Sequence, residues 1–169
     1  MKMINLIPLI FLLFRCSAPE GPITILEPVH LNNDGVVRTG LDVLIEDHPN
    51  YLKGRSIGLV TNHTGVTKQN EKNYELFQDN PHISLKRIFA PEHGFYGEAS
   101  AGAKVDYDSN DSSGPEIISL YGKTRKPTKE MLDGIDLIIY DIQDVGARFY
   151  TYISTLSLIH ISEPTRPRI

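Results

Sequence analysis

The stretch "IDLIIYDIQDVGARFYTYIST", residues 135–155, holds an apolar run that ends in a group of polar side chains. Its apolar residues follow one another without strict alternation, which is typical of a strand buried on both faces of a parallel sheet. Asp141, Gln143 and Asp144 come at or just after the end of this run. We therefore expect a strand here, followed by the start of a helix.

Two earlier stretches show the same pattern of an apolar run that leads into polar residues. They are "SIGLVTNHTG" at 56–65 and "SLKRIFAPEHG" at 84–94. Each predicts a buried strand followed by a polar loop. The first run leads to Asn62 and His63, and the second leads to Glu92 and His93.

Helix signals lie before and between these strands. The stretch "QNEKNYELFQDN" at 69–80 predicts an amphipathic helix with Tyr74, Leu76 and Phe77 facing inward. The stretch "GLDVLIED" at 40–47 predicts a short helix ahead of the first strand.

The stretch "KPTKEMLDGID" at 126–136 predicts another helix. Thr128 is its N-cap candidate, Glu130 lies in its first turn, and Gly134 is a stop signal. Residues 98–119 are rich in Gly, Ser and Asp, so we expect a long surface excursion there.

The order strand, helix, strand, helix, strand predicts an α/β fold with a parallel sheet flanked by helices. Ligands bind such sheets outside the carboxyl ends of the strands. Adjacent strands are about 4.8 Å apart, so the three polar groups that follow the strands can converge on one cleft. The sequence therefore predicts a ligand site at this edge.

Each polar group also has an ordinary structural explanation. Asn62 shapes a turn in that reading, and His63 is a loop histidine. Glu92 caps a helix between two loop-forming residues. Asp144 caps a helix that begins near Val145, and Arg148 pairs with a surface acid. The residues alone leave both readings open.

The composition restricts the class of protein and of partner. The chain has 169 residues, of which 40% are hydrophobic and 22% charged, as expected for a globular domain with one core. Its net charge is -4 and it has no run of Lys or Arg, so we expect no nucleic-acid partner. The first strand is followed by "TNHTG", which lacks the glycine pattern of a dinucleotide site.

The N-terminus has the features of an export signal. Lys2 is followed by the apolar run 4–14, which is shorter than the roughly 20 residues of a spanning helix. The sequence "LFRC", with Leu13 three residues before Cys16, resembles a bacterial lipobox, although Arg15 replaces the usual small residue. We expect Cys16 to be lipidated; the alternative is an ordinary cleaved signal with an incidental cysteine.

The C-terminal residues 156–169 read "LSLIHISEPTRPRI". Their first eleven residues resemble one translation frame of a transposase-based sequencing adapter, so we interpret this segment as an artefact. The alternative is a natural amphipathic tail. The predicted organisation is a signal peptide at 1–16, a linker at 17–39, a domain at 40–155 and the artefact at 156–169.

Four motifs, in this order, resemble the N-terminal part of the NamZ-type exo-β-N-acetylmuramidases. The resemblance runs from about Gly40 to Thr155 and implies a Rossmann-like domain that is followed, in longer family members, by a second domain. The present chain would then be truncated before that second domain and inactive alone. The four motifs are "GLVTNHTG", "FAPEHGFYGE", "SLYGKTRKPTKEML" and "DLIIYDIQDVGARFYTYIST".

The resemblance implies a glycosidase that releases N-acetylmuramic acid from the non-reducing end of peptidoglycan fragments. Glycoside hydrolysis usually needs a carboxylic acid that protonates the leaving oxygen and a second group that assists attack. Glu92 is the candidate acid, and His93 orients it or contacts the sugar. Asp141 and Asp144 are the candidates for the second group.

The same resemblance implies roles for the polar and aromatic residues nearby. Asn62 and Gln143 suit contacts with sugar hydroxyl or acetamido groups, and Arg148 suits the lactyl carboxylate. Tyr121 or Tyr150 would stack on a sugar face. The predicted substrate-binding residues are Asn62, His63, Tyr121, Gln143, Arg148 and Tyr150.

Two other functional classes stay open. A non-catalytic envelope lipoprotein that binds muropeptides would bind them without turnover. A metal-dependent hydrolase would use His63, His93 and Asp141, but the sequence has no H-x-H or H-E-x-x-H spacing. We therefore expect no cofactor and no metal. The expected location is the cell envelope, with a lipid anchor at Cys16 and muropeptides as partners.

Overall fold

The structure, a computed structural model, describes residues 14–15, 37–98, 100 and 114–162. Cys16 and most of the predicted linker lie outside the described residues. The strands are β1 (Phe14–Arg15), β2 (Ser56–Thr61), β3 (Ser84–Ala90), β4 (Glu116–Ser119) and β5 (Leu137–Asp141). The helices are α1 (Gly40–Glu46), α2 (Pro49–Leu52), α3 (Asn73–Asp79), α4 (Lys129–Leu132) and α5 (Tyr152–Ser162).

The strands form one sheet in the order β1-β5-β2-β3-β4. Strands β5, β2, β3 and β4 run parallel, and the two-residue β1 pairs antiparallel with β5. This confirms the predicted α/β fold with a parallel sheet flanked by helices. Because β2 lies between β3 and β5, its carboxyl end is at the centre of the ligand edge.

Two apolar clusters cover the two faces of the sheet. Side chains of β5 alternate between them: Leu137 and Ile139 belong to one cluster and Ile138 to the other. The first cluster joins the sheet to α1, α2 and α3 through Leu41, Leu44, Leu52 and Phe77. The second joins it to α4 and α5 through Leu132, Tyr152 and Ile159.

Side-chain caps fix the starts of two helices. Thr39 and Asp42 form a capping box at α1, in which the Thr39 amide donates to Asp42 Oδ2 over 2.6 Å. The Thr128 hydroxyl accepts from the Met131 amide at the start of α4, as predicted. Gly134 follows α4 with a φ of 70°, a left-handed conformation that suits a stop signal.

Strand β1 and helix α2 were not predicted, and the structure differs from the sequence-based expectations at three further places. Part of the predicted excursion 98–119 is strand β4. The proposed helix start near Val145 is wrong, because α5 begins at Tyr152. Helix α5 also continues past Thr155 to Ser162, through residues that the sequence analysis set aside. The domain boundary at Thr155 itself stays a prediction.

Within the described residues, the structure contains no helix with the length and apolar character needed to span a membrane.

Candidate functional site

The polar residues that follow the strands gather at one edge of the sheet. Strand β2 runs parallel to both of its neighbours, β3 and β5, so all three carboxyl ends meet there. Further along the sheet, Ala90 of β3 pairs with Ser119 of β4. Glu92 and Tyr121 each come two residues later, so they leave the sheet side by side.

Glu92 is partly buried in the turn after β3. The Thr151 hydroxyl donates a hydrogen bond of 2.6 Å to Glu92 Oε2. Burial is the main cause of a raised pKa at Tyr121, and a hydrogen bond with Glu92 adds to the rise. Hydroxyl groups from two separate segments, one after β4 and one before α5, therefore orient this carboxyl group.

Tyr152 connects Glu92 to a second carboxyl group. Tyr152 begins α5 and is 6% exposed, and its carbonyl accepts a 2.8 Å hydrogen bond from the Tyr140 hydroxyl. Burial raises the pKa of Tyr152, a hydrogen bond from the Asn62 side chain opposes the rise, and the negative charges of Glu92 and Asp144 add to it. Burial, and then the charge of Asp144, also raises the pKa of Tyr140, which packs with Tyr152 in the cluster that α5 covers, so Asp144 belongs to the α5 side of the sheet edge that Glu92 faces.

Asp141 is held on the other face, against α3. Asn73 Nδ2 donates to Asp141 Oδ2 over 2.7 Å and to the Thr61 hydroxyl over 2.8 Å. Burial raises the pKa of Asp141 to about 6, although the hydrogen bond from Asn73 opposes the rise. Gly65 lies so close to Asn73 that a Cβ atom there would collide with the amide. Asp141 thus belongs to a packed network at the first turn of α3.

The Thr64 side chain links the ends of β2 and β5. Its hydroxyl donates to Asn62 Oδ1 over 2.6 Å and accepts from the Gln143 amide over 2.9 Å. Asn62 is 2% exposed, and its buried Nδ2 atom faces the Tyr152 hydroxyl.

Asp144 forms a local turn at the site. Its Oδ2 accepts from the Gly146 amide over 2.9 Å, and its carbonyl accepts from Gln143 Nε2 over 3.0 Å. This turn replaces the helix cap that the sequence suggested as the ordinary role of Asp144.

A cavity of about 200 Å³ lies beside the ends of β2 and β3. Its aromatic wall comes from Tyr74, Phe95 and Tyr96. The other lining residues are Asn62, His63, Lys72 and Glu98. The His63 ring packs against Gly97, where a Cβ atom would collide with it. Gly97 has a φ of 73°, so this contact and the backbone both favour glycine.

The remaining predicted residues are spread along the segment after β5. Arg148 is exposed, and Phe149 beside it is 85% exposed. Tyr150 is partly buried, and its ring centroid is 6.2 Å from that of Tyr152. Tyr150 is therefore near the Glu92 side of the site, whereas Arg148 points to solvent.

Besides several residues of the cavity wall, the residues that touch the site without having been predicted include Thr64, Asn73, Thr151 and Tyr152. Thr151 and Tyr152 lie inside the stretch 135–155, but only the fold shows that they face Glu92. Asn73 begins a helix 68 residues before Asp141, and the sequence gives no signal of that contact.

In the ranges that the structure describes, no group of three His, Cys, Asp or Glu side chains is placed to hold a metal ion.

The fold and site define an α/β domain with carboxyl, amide and phenol groups at the ligand edge of a parallel sheet. Residues 57–163 match the family described as "Exo-beta-N-acetylmuramidase NamZ, N-terminal". The chain belongs to this family, which confirms the resemblance read from the four motifs.

Individual relatives agree with this assignment. The chain is 47% identical over 121 residues to the Peptidoglycan beta-N-acetylmuramidase NamZ of Bacillus subtilis (strain 168), covering 72% of this chain and 29% of that protein. A solved DUF1343 family protein from Bacteroides fragilis NCTC 9343 is 44% identical with a TM-score of 0.61, covering 72% of this chain and 30% of that one.

A second DUF1343 family structure from the same organism is 32% identical with a TM-score of 0.53, covering 71% of this chain and 29% of that one. The chain thus spans about three tenths of the length of these relatives.

Proposed function

We propose that this chain is the N-terminal part of a glycoside hydrolase that releases terminal N-acetylmuramic acid from the non-reducing end of peptidoglycan fragments. The observation that carries the proposal is the placement of Glu92, which is held at the ligand edge by the Thr151 hydroxyl over 2.6 Å. The name of the B. subtilis relative supplies the substrate class.

Glu92 is the proposed general acid. Its carboxyl group leaves the sheet after β3 and is oriented by Thr151 and Tyr121. A carboxylic acid fixed in this way can protonate the glycosidic oxygen as the bond breaks. His93 lies directly beside it and is the proposed sugar contact or orienting group.

Asp144 is the better candidate for the second carboxyl group. It shares the neighbourhood of Tyr152 with Glu92, whereas Asp141 is bound to Asn73 on the opposite face. In the proposed mechanism Asp144 stabilises the oxocarbenium-like transition state or activates water. Asp141 then supports the strand end.

The neighbouring residues supply the proposed substrate contacts. Asn62, at the end of β2, is the proposed contact for an acetamido or hydroxyl group of the sugar. Tyr150 and Tyr121 offer aromatic surface beside Glu92, and Arg148 is available for the lactyl carboxylate. Export and lipidation at Cys16 belong to the same proposal and rest on the N-terminal sequence.

Exchange of Glu92 for Gln tests the acid role while keeping the shape of the side chain. In the full-length protein of this reading frame, we expect release of muramic acid from a natural disaccharide to fall at least 10²-fold. An aryl glycoside with a good leaving group needs little protonation and should be affected much less.

Glu130→Gln, on the exposed first turn of α4, is the matched control and should retain wild-type turnover. Near wild-type release by Glu92→Gln would remove Glu92 from the mechanism. Tight binding of the disaccharide by the wild-type protein without any turnover would instead favour the non-catalytic muropeptide-binding lipoprotein.

A further inference from the structure

The loop from Pro91 to Glu98 presents groups to two different sides of the ligand edge. Glu92 is directed towards Thr151 and the start of α5. Phe95 and Tyr96, a few residues later, pack towards α3, where Phe95 meets Tyr74. One short loop therefore joins the proposed acid to the aromatic wall of the cavity.

The aromatic wall is held rigidly. Phe95 is 4% exposed and lies between Tyr74 and Tyr96, with ring centroids 4.8 Å and 5.0 Å away and interplanar angles of 66° and 68°. These are edge-to-face contacts, the geometry that aromatic pairs prefer. Tyr96 is 60% exposed, so a buried ring fixes the position of an open aromatic surface.

The polar lining is suited to a neutral ligand with hydroxyl or amide groups. Lys72 is paired with Glu75 over 3.8 Å, and Glu98 adds a further negative charge to the lining. Asn62 and His63 add hydrogen-bonding groups at the end of β2. An anionic ligand would gain little net attraction here, whereas a neutral sugar would find donors and acceptors around an aromatic surface.

The size of the cavity suits an occupant of one ring. Its volume of about 200 Å³ is below the roughly 300 Å³ at which sites for drug-sized ligands begin. Glu92 and Tyr96 are four residues apart in one loop, and this proximity is the basis for assigning a sugar in the cavity to the leaving-group side of Glu92.

We propose that the cavity walled by Tyr74, Phe95 and Tyr96 binds the second sugar of the substrate, a neutral N-acetylhexosamine ring stacked on Tyr96. The assignment of this ring as the leaving group rests on the proposed glycosidase function. Binding of the ring itself does not depend on that function.

Binding is measured by NMR titration of the 169-residue chain with methyl N-acetyl-β-glucosaminide. We expect shifts at Tyr96 and His63, and we expect Tyr96→Ala to weaken binding about fivefold to tenfold through loss of the stacking surface. Tyr96→Phe keeps the ring and should bind like wild type. Tyr51→Ala removes a tyrosine at the opposite edge of the sheet, ahead of β2, and should also bind like wild type.

Equal affinity of Tyr96→Ala and wild type, or no shifts in the wild-type chain up to the solubility of the sugar, would overturn the subsite. Circular dichroism shows whether Tyr96→Ala is folded. If Tyr96→Ala is unfolded, the comparison of Tyr96→Phe with wild type still tests whether the aromatic ring alone is sufficient for binding.

Turnover by the full-length protein tests the position of the ring. Tyr96→Ala should lower kcat/KM about fivefold to tenfold for a disaccharide that carries the second sugar, and leave it unchanged for a methyl glycoside of N-acetylmuramic acid. Equal losses on both substrates would overturn the leaving-group assignment. Absence of wild-type turnover on either substrate would refute the proposed function, while the NMR titration would still decide the subsite.

Discussion

His93 adopts a φ of 69°, a left-handed conformation that is uncommon for residues other than glycine. Gly94 follows with a φ of 75°, so two consecutive left-handed residues turn the chain sharply after Glu92. A non-glycine residue in this region costs about 1–3 kcal/mol and is found mainly where the surrounding structure fixes a functional group. The strain at His93 therefore supports a functional role for the turn that carries Glu92.

Asp141 makes the free energy of unfolding fall as the pH rises, which is the opposite of the effect of a carboxyl group whose pKa is lowered by folding. Burial raises its pKa in the folded protein to about 6, against about 3.9 for an ordinary aspartate. The folded state thus holds a proton that the unfolded chain releases between about pH 4 and pH 6. The contribution of this group to the free energy of unfolding is highest below about pH 4 and falls, by about 2–3 kcal/mol, as the pH rises through about 6.

Asp141→Asn should remove this contribution, because Asn does not titrate and still accepts the hydrogen bond from Asn73. We expect the stability of wild type relative to Asp141→Asn to decline between pH 4 and pH 7, measured by urea unfolding at each pH. Asp133→Asn, an exposed exchange after α4, is the control and should leave the wild-type pH profile unchanged. A constant difference between wild type and Asp141→Asn would contradict the buried, protonated state.

At the residue scale, the sequence predicts which polar residues follow the strands. It does not predict the side chains that those residues contact in the fold. Glu92 and Asn62 are visible because an apolar run ends beside them. The contacts of Thr151 with Glu92 and of Asn73 with Asp141 span 59 and 68 residues. They arise when separate elements pack, so no local pattern encodes them.

Helix α5 closes the face of the sheet that carries Val60 and Phe89. Ile159 is 1% exposed and packs in that cluster, whereas Ile153 in the same helix is 63% exposed. Ile159→Ala should therefore lower the free energy of unfolding by about 2–5 kcal/mol, since it leaves a cavity in the core. Urea unfolding measures the change.

Ile153→Ala is the matched control in the same helix, and surface exchanges of this kind usually change stability by less than about 0.5 kcal/mol. Equal effects of the two exchanges would show that α5 does not pack on the sheet in solution.

Elements with a long apolar pattern or a clear cap signal are predicted, and short elements without either are not. The three strands β2, β3 and β5 and the helices α1, α3 and α4 fall inside the predicted stretches. Strand β4 has only four residues after a Gly- and Ser-rich segment, too few to show a period. The start of α5 was placed too early because Asp144 resembles a cap, whereas its carboxylate accepts from Gly146 within a turn.

At the scale of the whole chain, the origin of residues 156–169 is the point to test. Their resemblance to a sequencing adapter predicts that sequencing of the locus from adapter-free DNA gives different residues after Thr155. The family match extends to residue 163, eight residues beyond this boundary. An unchanged "LSLIHISEPTRPRI" in the independent read would show that the tail is natural and that α5 is native in full.

The position of β2 in the sheet has a consequence for synthesis on the ribosome. Its partner β5 comes much later in the chain, as the 80-residue separation of the Ser56 amide from the Asp136 carboxylate shows. At about 5–20 residues per second, the ribosome needs roughly 4–16 seconds to make that interval. During this time β2 can pair with β3, but its other edge has no native partner, and open edges readily pair with other chains. The nascent protein is thus most exposed to aggregation while the loop after β4 and helix α4 are being translated.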